Sequence, residues 1–288
     1  MIPSVPFSNS KTRIYQGFIA AFFLFLLLPL LVVVVFSFHD ATYPSLPWKG
    51  SSTVWYVGDS SPYIGLFNDK NLLSSVLTSV QVALGVTLVS TFLGLSNAHL
   101  LIRFQFRFKE FLSVLMLIPL VIPGVILGVS ILVTSSTMAN WVDDMWAWEW
   151  EWARPGLVLV VLGQAAFISS ITTLVLLARY RRFDPSLEEA ALNLGATPLK
   201  AFNAVTLPFL RPTLISAGIV SFLMSFENFN TTLMLVGSDS PLTVEMFQRV
   251  REGTTPVVNA VSVALMIGST VLAGLYTWLQ YKAQQVKS

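Results

Sequence analysis

From Ile14 to Phe38 the chain runs through FFLFLLLPLLVVVVF without one charged residue. A helix crossing a bilayer needs about 20 mostly apolar residues, because it must satisfy its backbone internally across the hydrocarbon. This stretch therefore belongs in lipid. Lys11 and Arg13 ahead of it give the look of a signal peptide. The run is too long for a signal core and no small-residue cleavage site follows, so a retained first span is expected. Five further stretches qualify, and together the expected spans are 14–38, 72–95, 111–134, 157–178, 214–236 and 257–279. Composition agrees: 54% of residues are apolar and 11% charged, against about a quarter charged in soluble domains. The expectation is an all-α polytopic membrane protein, one domain over residues 1–288 with six transmembrane helices and no internal repeat.

The spans differ in character. Ser74, Ser75, Ser79, Gln81 and Ser90 dilute the second, which suits a helix facing other helices. Pro119, Pro123 and Gly124 predict a kink in the third. Orientation follows from basic residues in the short connections. Lys11 and Arg13 precede the first span; Arg103, Arg107 and Lys109 join the second to the third. Arg179, Arg181, Arg182, Lys200 and Arg211 join the fourth to the fifth, and Lys282 and Lys287 follow the sixth. The opposite side is richer in acids. Both termini are expected in the cytoplasm. The tryptophan-rich stretch Trp141–Trp152 falls outside, as an interfacial aromatic belt or a contact surface for an extracytoplasmic partner.

Several function classes are excluded. The net charge of +2 does not suggest nucleic-acid binding, and the absence of cysteine removes disulfides and thiolate metal sites. His39 and His99 lack metal-ligand spacing and read as loop or interfacial residues, so no metal site is expected. There is no GxSxG, HExxH or phosphate-binding G-x-x-x-x-G-K-[ST] pattern, and no intramembrane aspartate pair. No catalytic residue and no cofactor are expected in this chain, and any ATP must be handled by another subunit.

The most informative segment is the connection RYRRFDPSLEEAALNLGATPLKAFNAVTLPFLRP, residues 179–212. Asp184–Pro185 is a helix start, with a capping carboxylate and proline at the first position. Gly195 is a helix stop able to take positive φ. Thr197–Pro198 repeats the start signal, and a second short helix is expected to stop near Pro208. Residues 184–208 thus form two capped helices with a bend between them. Leu187, Ala191 and Leu194 form a stripe expected to pack back on the bundle. Glu189 lies about 200° from Leu187 and should project toward a partner.

Glu189-Ala190-Ala191, then Gly195, then Val205-Thr206-Leu207-Pro208 resembles the E-A-A-x-x-x-G-x9-I-x-L-P pattern of the membrane subunits of binding-protein-dependent ABC importers. Valine at 205 where isoleucine is usual is the one departure. The resemblance implies that this loop docks on a cytoplasmic ATPase dimer, which binds ATP and magnesium. It gives Glu189, Ala190, Ala191, Gly195, Leu207 and Pro208 the coupling roles. It further implies a second, homologous permease subunit and an extracytoplasmic solute-binding protein. The stretches FDPSLEEAA, SFENFNTT and PLTVEMFQRVREGTTPVVNAVS look like the second membrane subunit of the spermidine/putrescine permeases. Similar permeases serve ferric iron, phosphonates and other solutes, and those alternatives stay open.

One carboxylate, Glu227, lies inside an expected span, beside Asn228 and Asn230. Intramembrane ionisable residues are costly and are functional candidates. At 1.5 Å per helical residue Glu227 sits about 15 Å below the outer surface, and Gln164 about 12 Å. The two asparagines are expected to share the carboxylate's hydrogen bonding. The four residues form a candidate path for a cation or a helix–helix hydrogen-bonding cluster. A secondary carrier driven by an ion gradient is the competing class, and the missing inverted repeat argues against it.

Overall fold

A computed structural model of the protein describes residues 9–253 and 256–285. Lys287, counted above among the basic flanks, lies outside them. Along the chain come α1 (Asn9–Ser37), α2 (Val54–Val57), a two-residue hairpin of β1 (Asp59–Ser60) and β2 (Tyr63–Ile64), α3 (Lys70–Arg103), α4 (Lys109–Val121) and α5 (Gly124–Trp146). A 3₁₀ turn at Glu151–Ala153 leads into α6 (Leu157–Tyr180), α7 (Ser186–Asn193) and α8 (Pro198–Ala201). A π turn at Phe202–Thr206 runs straight into α9 (Leu207–Phe226), followed by α10 (Asn230–Leu235), α11 (Leu242–Glu252) and α12 (Pro256–Gln285). Among the described residues, five helical stretches are long and apolar enough to cross a membrane. They are Thr12–Ser37, Lys70–Arg103, Gly124–Trp146, Leu157–Tyr180 and Pro198–Phe226, joined by a shorter apolar helix over Pro256–Val271. Each overlaps one of the six expected spans, the third and fifth only in part, and the hairpin is the one sheet among the described residues.

The chain divides into two compact units, Ser74–Glu245 and Met1–Leu73 with Met246–Ser288. In the first, α6 is the central helix, buried from Leu159 to Tyr180 on most of its circumference, as befits a helix enclosed by others. Val82 and Val86 of α3 meet Leu159, Val160 and Ile168 of α6 and Leu235 of α10 in one core cluster. Ala98, Leu176, Tyr180, Phe183 and Leu210 form a second. The face that α3 turns to its neighbours carries Ser75, Ser79 and Ser90, all buried, while Ser74 and Gln81 stay exposed. Polar contacts cross this face: Ser79 Oγ accepts from Leu242 N–H at 2.7 Å, and the backbone carbonyl of Ser90 accepts from Thr172 Oγ1 at 2.7 Å. Gly94 makes the close approach possible, since a Cβ there meets the Thr172 Cβ at 2.8 Å. Small and hydroxyl residues are the usual means of bringing helices together in lipid.

In the second unit, α1 lies alongside α12, and the 18 most apolar residues of α1 bury nothing within the chain. Trp55 is buried and donates from Nε1 to His39 O at 2.9 Å. His39 is buried too, stacked on Trp48 at 4.5 Å, with Nε2 accepting from Lys49 N–H. Asp69 caps α3, accepting from the N–H of Asn71 and Leu72 at 3.1 Å, and takes a two-pronged ion pair from Arg249 at 2.7 and 3.2 Å.

Two spans depart from the expected single rods. The third is two helices rather than one bent helix. Pro119 stays within α4, and the interruption is at Ile122 and Pro123, both extended with ψ near 130° (129° and 133°). Proline has no N–H to donate and pushes the preceding residue out of helical ψ. α5 then continues past the expected end at Thr134 to Trp146, so Trp141 and Trp146 ride on a helix. The fifth span is also broken: α9 ends at Phe226, residues 227–229 interrupt, and α10 resumes at Asn230. The second loop helix does not stop near Pro208. The π turn carries it into α9, where Pro208 occupies the first helical turn, a position that needs no N–H.

A candidate coupling loop and the broken fifth span

The two short helices and the bend between them are built by local chemistry. Asp184 Oδ1 accepts from Ser186 N–H at 3.0 Å, and Ser186, through its hydroxyl and its N–H, holds the Asp184 carboxyl below its usual range. At the far end Gly195 has φ +88°. Its N–H donates to Leu192 O at 2.9 Å and the Ala196 N–H donates to Ala191 O at 3.0 Å. This pair of bonds is the Schellman closure, which requires a left-handed residue at Gly195. Thr197 Oγ1 then accepts from Lys200 N–H at 3.4 Å, starting α8.

The side chains of α7 do not face as the stripe predicts. No residue of α7 is buried. Leu187 is 53% exposed, Leu194 90% and, on α8, Leu199 70%. The face turned inward is that of Glu188 and Ala191. Glu188 pairs with Arg103 at the end of α3, and its Oε2 accepts from Thr206 Oγ1 at 3.0 Å. Arg103 Nε donates to Tyr180 Oη at 3.3 Å, and its guanidinium lies 5.8 and 5.6 Å from the ring centres of Tyr180 and Phe183. Glu189 and Ala190 are exposed. Leu207 is half-buried and Pro208 exposed at the foot of α9. His99, expected in a loop or at the interface, is a helical residue of α3 whose Nδ1 lies 2.9 Å from Tyr180 Oη.

The four candidate pathway residues separate into two pairs. Gln164 is 1% exposed. Its Nε2 donates to Thr232 Oγ1 at 2.7 Å, and its Oε1 accepts from Ser225 Oγ at 2.5 Å. Asn228 Oδ1 accepts from the N–H of Thr231 and Thr232 at 3.3 Å, capping α10, and Asn228 O accepts from Thr232 Oγ1 and Thr243 Oγ1 at 2.7 and 3.1 Å. Gln164 and Asn228 thus hold the two halves of the broken span together. Glu227 and Asn230 are exposed. The expected sharing of the Glu227 carboxylate by its flanking amides is not found. Asn228 turns to the orphan N–H groups of α10, because a helix start inside a span has no water to satisfy them.

A family model described as binding-protein-dependent transport system inner membrane component matches residues 90–285. The chain belongs to that family. It is an inner-membrane permease of the ABC importer class. This permease is 32% identical over 258 residues to the putrescine transport system permease protein PotI of Escherichia coli (strain K12), covering 89% of this chain and 86% of that one. It is 26% identical over 267 residues to the spermidine/putrescine transport system permease protein PotC of Haemophilus influenzae, covering 92% and 96%. A bacterial ABC transporter that imports the acidic polysaccharide alginate shares its fold, with a TM-score of 0.69 at 14% identity over 93% of this permease and 94% of that chain. The matched region takes in the whole loop from Asp184 to Pro208 and the broken fifth span.

Proposed function

We propose that this permease carries a polyamine into the cytoplasm as one of two homologous membrane subunits. A separate ATPase dimer docks on α7 and α8, and an extracytoplasmic binding protein delivers the solute. Both termini face the cytoplasm, so a reporter at Ser136 reads external and one at Arg181 internal. The carrying observation is the exposed apolar end of the loop. Leu187, Leu194 and Leu199 are exposed, as Glu189 is, on two short helices joined by the bend at Gly195. A soluble surface does not keep such a cluster without use for it. The putrescine and spermidine/putrescine relatives support the substrate class. Glu227, exposed where the fifth span is interrupted, offers a carboxylate to an ammonium in a setting where Coulomb attraction is stronger than in water. ATP and magnesium bind the partner ATPase, and this chain contributes no catalytic group.

Cells lacking their own polyamine uptake test the reading when supplied with the complete system. Radiolabelled putrescine should accumulate with the wild-type chain. Glu189→Lys should insert normally yet lose both uptake and copurifying ATPase. Retained ATPase and normal uptake in that variant would remove the docking role; uptake of an anionic or neutral solute alone would remove the polyamine.

A further inference from the structure

α7 poses a mechanical question. A helix of eight residues that buries none of them is not held by apolar packing. Its leucines point away from the bundle, and its chain connections at Asp184 and Gly195 are bends rather than continuous helices. The inward polar side chain is Glu188, with 14% of its side chain exposed. Its carboxylate meets two groups at once: the Arg103 guanidinium, which ends α3, and the Thr206 hydroxyl, in the π turn that leads into α9. Arg103 is itself fixed, since Tyr180 accepts from Nε and the rings of Tyr180 and Phe183 flank the guanidinium. Tyr180 is the last residue of α6. The ends of three long helices therefore converge on one carboxylate of the docking helix.

We infer that Glu188 is a positioning residue: with Arg103 it forms a strut that carries displacement of α7 into α3, α6 and α9, and it stays closed through the transport cycle. This rests on the docking reading of α7. A charge-assisted contact suits the task. It is short and directional, and an arginine fork beside aromatic rings has few alternative positions. Lost from one side, it leaves the other charge partly buried and unpaired. The neighbouring carboxylates thereby divide the work, Glu189 outward to the partner and Glu188 inward to the membrane helices.

The test uses the assembled importer in proteoliposomes and follows uptake, bound ATPase and ATP hydrolysis stimulated by the loaded binding protein. Glu188→Gln and Arg103→Gln should keep the ATPase bound and hydrolysing. Uptake per ATP should fall on the order of tenfold, the usual size of a coupling between two sites. The exchange of the two charges, Arg103→Glu with Glu188→Arg, should restore most of the uptake. Full uptake in both single variants, or a double variant no better than either, overturns the strut. The chain has no cysteine, so Arg103→Cys with Glu188→Cys offers a second readout. Before cross-linking the cysteine pair should transport as poorly as the single variants. A short thiol-to-thiol cross-linker should restore uptake by closing the joint covalently, and no recovery or a further loss on cross-linking overturns a strut that stays closed. If the docking reading itself is wrong, the wild-type permease fails to retain ATPase, whatever these variants do.

Discussion

Glu188 and Glu189 are chemically identical and adjacent, yet one turns in and the other out. The sequence distinguishes them only through distant residues. The bend at Gly195 and the cap at Thr197 are readable because they depend on neighbours within five positions. The inward role of Glu188 depends on Arg103 and Thr206, which local spacing does not bring near. Leu187 and Leu194 mislead for the same reason: apolar periodicity says that a face will be covered, not by which chain. Asp69 is a case whose environment yields a pH dependence. Burial raises its carboxyl pKa, but hydrogen bonds and charge from Arg249 and the N–H groups of Leu72 and Asn71 outweigh that and hold it below its ordinary 3.8. A carboxyl depressed on folding stabilises the protein above its unfolded value, and that stabilisation is lost as pH falls through the lower folded value. Asp69→Asn should therefore unfold more readily than the wild type at pH 7 in detergent, with the gap narrowing below about pH 4. A gap that stays constant from pH 7 to 3 would show that the ion pair contributes nothing.

At the scale of elements, one helix interruption was legible as a kink, though not as a full break, and the other was not legible. Pro123 announces the interruption between α4 and α5, because its ring and missing N–H act on any helix. The break at Glu227–Phe229 carries neither proline nor glycine. It exists because Asn228 caps α10 while Gln164, reaching from α6, joins Ser225 on one side of the gap to Thr232 on the other. Gln164→Ala and Glu227→Gln should fail in opposite ways. The first strips partners from Ser225 and Thr232 in the interior, at a cost of about 1–3 kcal/mol, and should lower the unfolding temperature in detergent. The second alters an exposed side chain and should leave stability within about 0.5 kcal/mol, while putrescine uptake falls steeply. A stable Gln164→Ala protein, or a Glu227→Gln protein with undiminished uptake, would refute the division of these residues into brace and pathway.

For the whole molecule, the apolar runs and scarce charge were enough to read membrane class and an all-helical architecture, since lipid leaves the backbone few solutions. They could not reveal the division into two compact units, with residues 246–288 returning to the N-terminal part. That depends on which buried faces match, and a hydropathy profile carries no such information. The uncovered leucines of α7 and α8 have a further effect, on abundance rather than on transport. On the docking proposal, a copy made without its ATPase would hold the exposed Leu187, Leu194 and Leu199 in the cytosol, where proteases and chaperones triage exposed apolar segments. Pulse-chase labelling should find the chain short-lived in cells lacking the ATPase, and Leu187→Ser with Leu194→Ser should lengthen that lifetime; equal lifetimes with and without the ATPase would count against it. On that proposal, supply of the ATPase would set how many permeases the membrane keeps, with surplus copies cleared before they accumulate unpowered.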